Sequence, residues 1–393
     1  MHLDFDEAVS HCVSMVATRL QESAAPSAAS TESARAPAKK RAYFVDILRL
    51  IASFQMVNGH TLDAVLMNEA RGGAYWGDYL WFRGMVSVSF MFVAGFAFHL
   101  ATLARFEKHR SSRDEVRKRF RRGVDLILIG YLLRVPYDYI HRWGEVPSEL
   151  IDVLMRCNVL QCIGITLLIL EGLTVLAKRP RQVAIAAALI SALLIALAPF
   201  TDAWIPTGTW HPLLAYVSHQ AGSMFPVVPW STFMLAGCAM GFVSMPEGSN
   251  THWRVSFSRL LLIFASLWAL KFALQSSPVS FVTSVTHANS RPVFILERLA
   301  AVTLTIAALN LIALPIKRFP KFLLALSGET LFLYVFHLVV IFSLPFGVYR
   351  MVGKTLSFPQ AFGVSACMLL LTAAAGLGWA RFKIWRAARK AHA

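Results

Sequence analysis

The chain has 393 residues, of which 56% are hydrophobic and only 15% charged, and its mean hydropathy is +0.55. Soluble domains carry about 25% charged residues, so this composition, spread over repeated apolar runs of about twenty residues, excludes an ordinary soluble domain and points to a polytopic helical membrane protein. The net charge of +16 would suit a nucleic-acid partner, but the location of the charges argues for a membrane surface and against nucleic acid.

Residues 1–43 lack the apolar core of a signal peptide and carry Asp4, Asp6, Glu7 and Arg19 early. The stretch SAAPSAASTESARAPA, 23–38, has the small, polar composition of a linker. A tail over 1–43, a membrane domain over 44–380 and a basic tail over 381–393 are expected. Ten spans are expected near 44–66, 80–104, 123–140, 151–176, 183–200, 229–245, 257–274, 293–314, 323–344 and 358–379, giving an all-α bundle. Connections on one side hold 25 Lys and Arg, nine of them in 105–122, against five on the other. Positive residues stay inside, which predicts both termini in the cytoplasm and places lipid headgroups among the partners. The outer connection 201–228 has three prolines, two tryptophans, two histidines and no Lys or Arg, so it is expected to pack rather than to wave in solvent.

The first span, RLIASFQMVNGH over 49–60, is the most informative stretch. Ionisable groups at membrane depth usually face a cavity or a partner. Arg49 and His60 are about three turns apart, so they share one helix face and stand about 16 Å apart along it. His60 suits a general base or proton shuttle, or a histidine bonded to a neighbouring helix. Asp63, one turn on, is placed to orient the imidazole or to end the helix at the outer interface. Asp46 and Arg49 form either an anchoring pair or an anion contact. Arg134, Asp138, Arg156, Asn158 and Gln161 fall at one depth and suggest a polar cavity or an ion-pair network. Lys271, Glu297 and Arg298 are expected to pair with each other at the outer interface. His337 is a second intramembrane histidine, eight residues after Glu329. The five cysteines have no zinc or CxxC spacing and read as small buried hydrophobes; no metal is expected. No P-loop, GxGxxG or HExxH is present.

FVDILRLIASFQMVNGH resembles the first span of the transmembrane acyltransferase superfamily, which includes acyltransferase family 3 and the heparan-alpha-glucosaminide N-acetyltransferase-like proteins. Asp46, Arg49 and His60 match that signature, and Leu50 stands where it has Gly. VSFMFVAGFAFHL resembles the second-span segment. VLQCIGI and FPVVPW…AGCAMG, which contains Trp230, resemble the heparan-alpha-glucosaminide branch. GETLFLYVFHL resembles the shared ninth-span segment, with His337 at its histidine. The resemblance covers roughly 41–345. It implies an acyl group, commonly acetyl, passed from cytoplasmic acyl-CoA as donor substrate, with no resident cofactor, to a sugar or glycan acceptor on the outer side of the bacterial inner (cell) membrane. It implies that His60 activates the acceptor or carries the acyl group, that Arg49 holds the donor, and that His337 and Asp46 stand at signature positions; with the residue reading above, the expected catalytic set is His60, Asp63 and His337, and the expected substrate contacts are Arg49, Asp46, Arg134, Arg156, Gln161 and Trp230. A transporter using the same intramembrane charges is the alternative. The absence of a visible inverted repeat speaks against it.

Overall fold

The computed structural model describes residues 42–73, 76–135, 143–205, 212–245, 253–276, 287–316, 318–344 and 346–391. Every regular element among them is helical, apart from one isolated bridge between Leu66 and Leu356. The main helices are α1 (Tyr43–Val65), α2 (Trp76–Ala101), α3 (Arg113–Leu132), α4 (Ser148–Met155), α5 (Val159–Leu176), α6 (Pro180–Trp204), α7 (Val227–Ser244), α8 (Trp253–Gln275), α9 (Pro292–Ala313), α10 (Lys321–Gly328), α11 (Thr330–Leu338) and α12 (Phe358–Ala391). Each of the ten expected spans holds helix. Eight of the helical segments are long and apolar enough to cross a membrane. The other two expected positions are α1 and α3, helices of 23 and 20 residues that carry charge.

Several boundaries differ from the expected ones for local reasons. The third span begins ten residues early, because Ser112 caps α3 by accepting from the Glu115 amide, with Asp114 and Glu115 in the first turn. The fourth span breaks into α4 and α5 at Arg156–Asn158. Asn158 starts α5 with a capping box, its side chain accepting from the Leu160 amide at 2.9 Å while Gln161 Oε1 accepts from the Asn158 amide at 2.9 Å. Replacing Asn158 with Ala should cost about 1 kcal/mol, read as a lower unfolding midpoint in detergent; an unchanged midpoint would show that the cap is dispensable. The ninth span breaks at Glu329 and ends in a π-turn, Val339–Ser343. The basic end 381–390 is helical, in the last turns of α12.

α1 sits in the middle of the molecule, packed by α2, α9, α11 and α12. Its last carbonyls, on Ala64 and Val65, accept from the amides of Lys354 and Leu356, so a loop before α12 caps the helix. Two helix pairs meet at glycines. A Cβ on Gly95 of α2 would lie 1.8 Å from the Met234 carbonyl oxygen of α7, and a Cβ on Gly237 of α7 would lie 2.1 Å from the Phe92 carbonyl oxygen. α3 and α5 meet in the same way at Gly123 and Gly164. The basic connection 105–122 is tied down by His109, whose Nε2 lies 2.7 Å from Glu171 Oε1 on α5. The outer connection is packed where described, with Ala215, Ser218, His219 and Ala221 buried. Cys157, Cys162 and Cys238 are buried as expected. Cys367 is exposed on α12, and Cys12 lies outside the described residues.

Candidate active site

A cavity of about 1040 Å³ runs between the helices, at the upper end of the range for small-molecule sites, about 300–1,000 Å³. Arg49, Arg119 and Arg122 line one end. His219, Ser223, His287 and Asn289 belong to the other, and His60, Arg83, Arg134, Trp230 and Arg298 also reach the wall. Arg49 and His60 open on this one cavity, in keeping with their shared helix face.

His60 meets His337. The His60 Nδ1 lies 2.8 Å from His337 Nε2, and His337 Nδ1 lies 2.7 Å from the Leu333 carbonyl oxygen one turn back on α11. The carbonyl can only accept, so His337 Nδ1 carries a proton. With both rings neutral, His337 Nε2 is then the acceptor and His60 Nδ1–H the donor. This leaves the lone pair on His60 Nε2, which has no protein partner among the described residues. His337 is fully buried behind His60. The arrangement follows triad logic with an imidazole in the orienting place: a base whose far nitrogen is fixed by a second group.

Asp63 does not orient His60. Its carboxylate is taken by Arg83 of α2, and its carbonyl accepts from Arg71 Nη2 at 3.0 Å. Helical spacing places Asp63 beside His60, but a guanidinium from the next helix is the stronger partner for a carboxylate. The Arg83 side chain lies against Gly59, its Cγ 3.6 Å from where a Cβ would stand.

The remaining expected contacts divide. Arg134 lines the cavity and also clamps the α4–α5 break, its Nη1 donating to the carbonyls of Val153 at 3.0 Å and Arg156 at 2.8 Å. Trp230 lines it too, but its indole N–H is used by His219 Nε2 at 3.0 Å. Asp46, Arg156 and Gln161 are not on the wall. Asp46 is buried and accepts from Ser327 at 2.9 Å. The Arg156 side chain lies beside Gly222. Gln161 closes the capping box. Asp138 lies outside the described residues.

The far end of the cavity is a residue cluster that sequence reasoning passed over. His219 Nε2 accepts from Trp230, its Nδ1 lies 2.9 Å from Ser290 Oγ, and Asp202 accepts from Ser218, Ser290 and the His219 amide. The indole can only donate, so His219 is held neutral with its proton on Nδ1. His287 stacks on it with ring centroids 4.5 Å apart. Partial burial, and then His219, push the His287 imidazole below its ordinary value. The surplus of Trp and His with no Lys or Arg in 201–228 was the available signal.

Of Lys271, Glu297 and Arg298, expected to pair with each other, Lys271 and Glu297 do so directly. Lys271 Nζ pairs with Glu297 at 3.0 Å, and the Trp81 indole donates to the same carboxylate at 3.0 Å. Arg298 is turned inward, because neighbouring residues on a helix point about 100° apart.

A family profile, heparan-alpha-glucosaminide N-acetyltransferase, catalytic, matches residues 41–278. The chain belongs to this family. It is a multi-pass membrane acetyltransferase of a family that acts on glycan-type acceptors. No curated protein matches the chain. The matched range contains His60, Arg83, Arg134 and His219 of the acetyltransferase, whereas His287, Arg298 and His337 lie beyond it.

Proposed function

We propose that this acetyltransferase moves an acetyl group from cytoplasmic acetyl-CoA to a sugar or glycan on the outer side of the membrane, with His60 Nε2 as the base. The observation that carries this is the free His60 nitrogen on the cavity, backed by His337. His60 takes the proton from the acceptor amine or hydroxyl as that group attacks the thioester carbon. The C–S bond breaks, CoA leaves as thiolate, and the imidazolium returns the proton to sulfur. While His60 is cationic, His337 Nε2 continues to accept from its Nδ1–H. Asp63 acts in this scheme through Arg83.

The lysine and arginine bias places the Arg49 end in the cytoplasm and the His219 end outside. Arg49, Arg119 and Arg122 then form the donor end, with charge suited to the phosphates of CoA. Reaction across the cavity answers a physical problem: donor and acceptor are separated by about 30 Å of hydrocarbon.

Right-side-out proteoliposomes loaded with acetyl-CoA test the direction. They should acetylate an impermeant glucosamine-terminated acceptor added outside. Product formed only when donor and acceptor share a side would overturn the direction. Radiolabelled acetyl-CoA without acceptor should leave no label on His60; a stable adduct there would replace the base with a nucleophile. Changing Arg122 to Ala should raise KM for acetyl-CoA more than it lowers kcat, and an unchanged KM would remove Arg122 from the donor end.

A further inference from the structure

Acetyl transfer needs more than a base. As the acceptor attacks, the thioester carbonyl oxygen gains negative charge, and a hydrogen-bond donor already aimed at that oxygen stabilises the transition state strongly. The amides around His60 lie inside α1 and bond that helix's own carbonyls. The donor must therefore come from a side chain of the cavity wall.

Arg83 is placed for this. It comes from α2, lines the cavity, and has a side chain 32% exposed, so a ligand can reach it. Its Nε lies 3.6 Å from where a Cβ on Gly59 would stand, and its Nη2 donates to the Asp63 carboxylate. Gly59 and Asp63 are about one turn apart on α1 and fall on either side of His60 in the chain. The guanidinium thus runs alongside the turn that carries His60. Its Nε and Nη1 have no acceptor among the described residues. The other arginines are engaged elsewhere or distant. Arg134 holds the α4–α5 break, Arg298 donates to the Trp81 carbonyl at 2.6 Å, and Arg49 is about 16 Å from His60 along α1. Asp63 does two things for Arg83. It fixes the plane of the guanidinium, so the unused N–H groups keep one direction, and it offsets a cation that is costly at membrane depth.

We propose that Arg83 is a further catalytic residue, donating from Nε or Nη1 to the thioester carbonyl oxygen, with Asp63 as its positioning residue. This rests on the acetyl-transfer reading. The acceptor's lone pair bonds to the carbonyl carbon as the π pair moves onto oxygen, and Arg83 meets that charge without giving up a proton. The pair then returns, the C–S bond breaks, and His60 passes its proton to sulfur.

The experiment is equilibrium binding of two unreactive donor analogues to the full chain in nanodiscs. S-carboxymethyl-CoA sets a charged oxygen near where the oxyanion forms; S-ethyl-CoA has none. The carboxymethyl analogue should bind about 10–100-fold more tightly, the scale of a charged hydrogen-bonded contact. Arg83→Gln should erase that preference. It should also lower kcat for acetyl transfer by about 100- to 1,000-fold, with KM for acetyl-CoA nearly unchanged. Arg83→Gln combined with Asp63→Asn leaves no unpaired carboxylate and should show the same two losses; it serves should the single variant fail to fold. Asp63→Asn alone keeps the guanidinium without its anchor and should weaken the preference without erasing it. Equal binding of the two analogues to the unaltered chain, or a preference or kcat that survives loss of Arg83, overturns the catalytic role while donor binding stands. An undiminished preference in Asp63→Asn overturns the positioning role. If neither analogue binds, the transfer reading itself falls, and the role of Arg83 with it.

Discussion

Replacing His60 with alanine is expected to lower acetyl transfer by about 100- to 10,000-fold, the contribution of a positioned general base, while the protein stays folded in the membrane. The ring is half-buried on a cavity wall, and its one hydrogen bond among the described residues is to His337. Its removal therefore leaves little of the core unsupported. The companion substitutions separate base from orienter. His337→Gln keeps an acceptor for the His60 Nδ1 proton, so it should retain more activity than His337→Leu, which leaves that donor buried and unmet. The tautomer of His60 decides the difference. Without an acceptor at Nδ1, the ring is free to move its proton to Nε2, and the base is lost. Turnover of acetyl-CoA by purified protein, alongside the unfolding midpoint, checks both. A His60→Ala protein with full activity removes His60 from the chemistry, and equal activity of the two His337 variants removes the orienting role.

Gly95→Ala is expected to damage the fold more than an added methyl at any other described glycine. The added carbon would stand 1.8 Å from the Met234 carbonyl oxygen. The obstacle is backbone, so no side chain can turn aside, and α2 and α7 must separate. Overpacking of this kind costs at least about 1–3 kcal/mol. Both helices supply cavity wall, Val93, Ala94 and Ala97 from α2 and Trp230 and Met234 from α7, so activity should fall with stability. Gly172→Ala is the control. It is exposed, and nothing stands within 4 Å of its would-be Cβ, so the change should be neutral or stabilise by about 0.4–1 kcal/mol. Thermal unfolding in detergent reads both. Equal midpoints for the two variants would mean that the α2–α7 contact is looser than these distances say.

Much of the site was within reach of sequence reasoning, though unevenly. The capping box at Asn158 and Gln161 is a four-residue pattern and belongs to local structure; assigning Gln161 to substrate set that pattern aside. Leu50, where related first spans have Gly, is explained by packing. It is buried with Leu326 and Leu333, on α10 and α11, and Leu333 also supplies the carbonyl that fixes His337. Asp63 shows the limit of helical spacing. Its neighbour in the helix was His60, but Arg83 arrives from α2 and takes the carboxylate.

The sequence by itself determined the positions of the helices, the lysine and arginine bias that orients the expected spans, and the face that Arg49 shares with His60. Those depend on apolar run length, on the sum of charges in each connection and on helix period, all of which are local. Only the tertiary structure decided which buried polar groups find partners. His60 meets His337 across 277 residues, Asp63 meets Arg83, and Glu297 meets Lys271. Arg298, next in the chain to Glu297, turns to the Trp81 carbonyl instead. A buried donor or acceptor binds whatever neighbouring helices bring within 3 Å or so, and helix spacing along the chain carries no record of that.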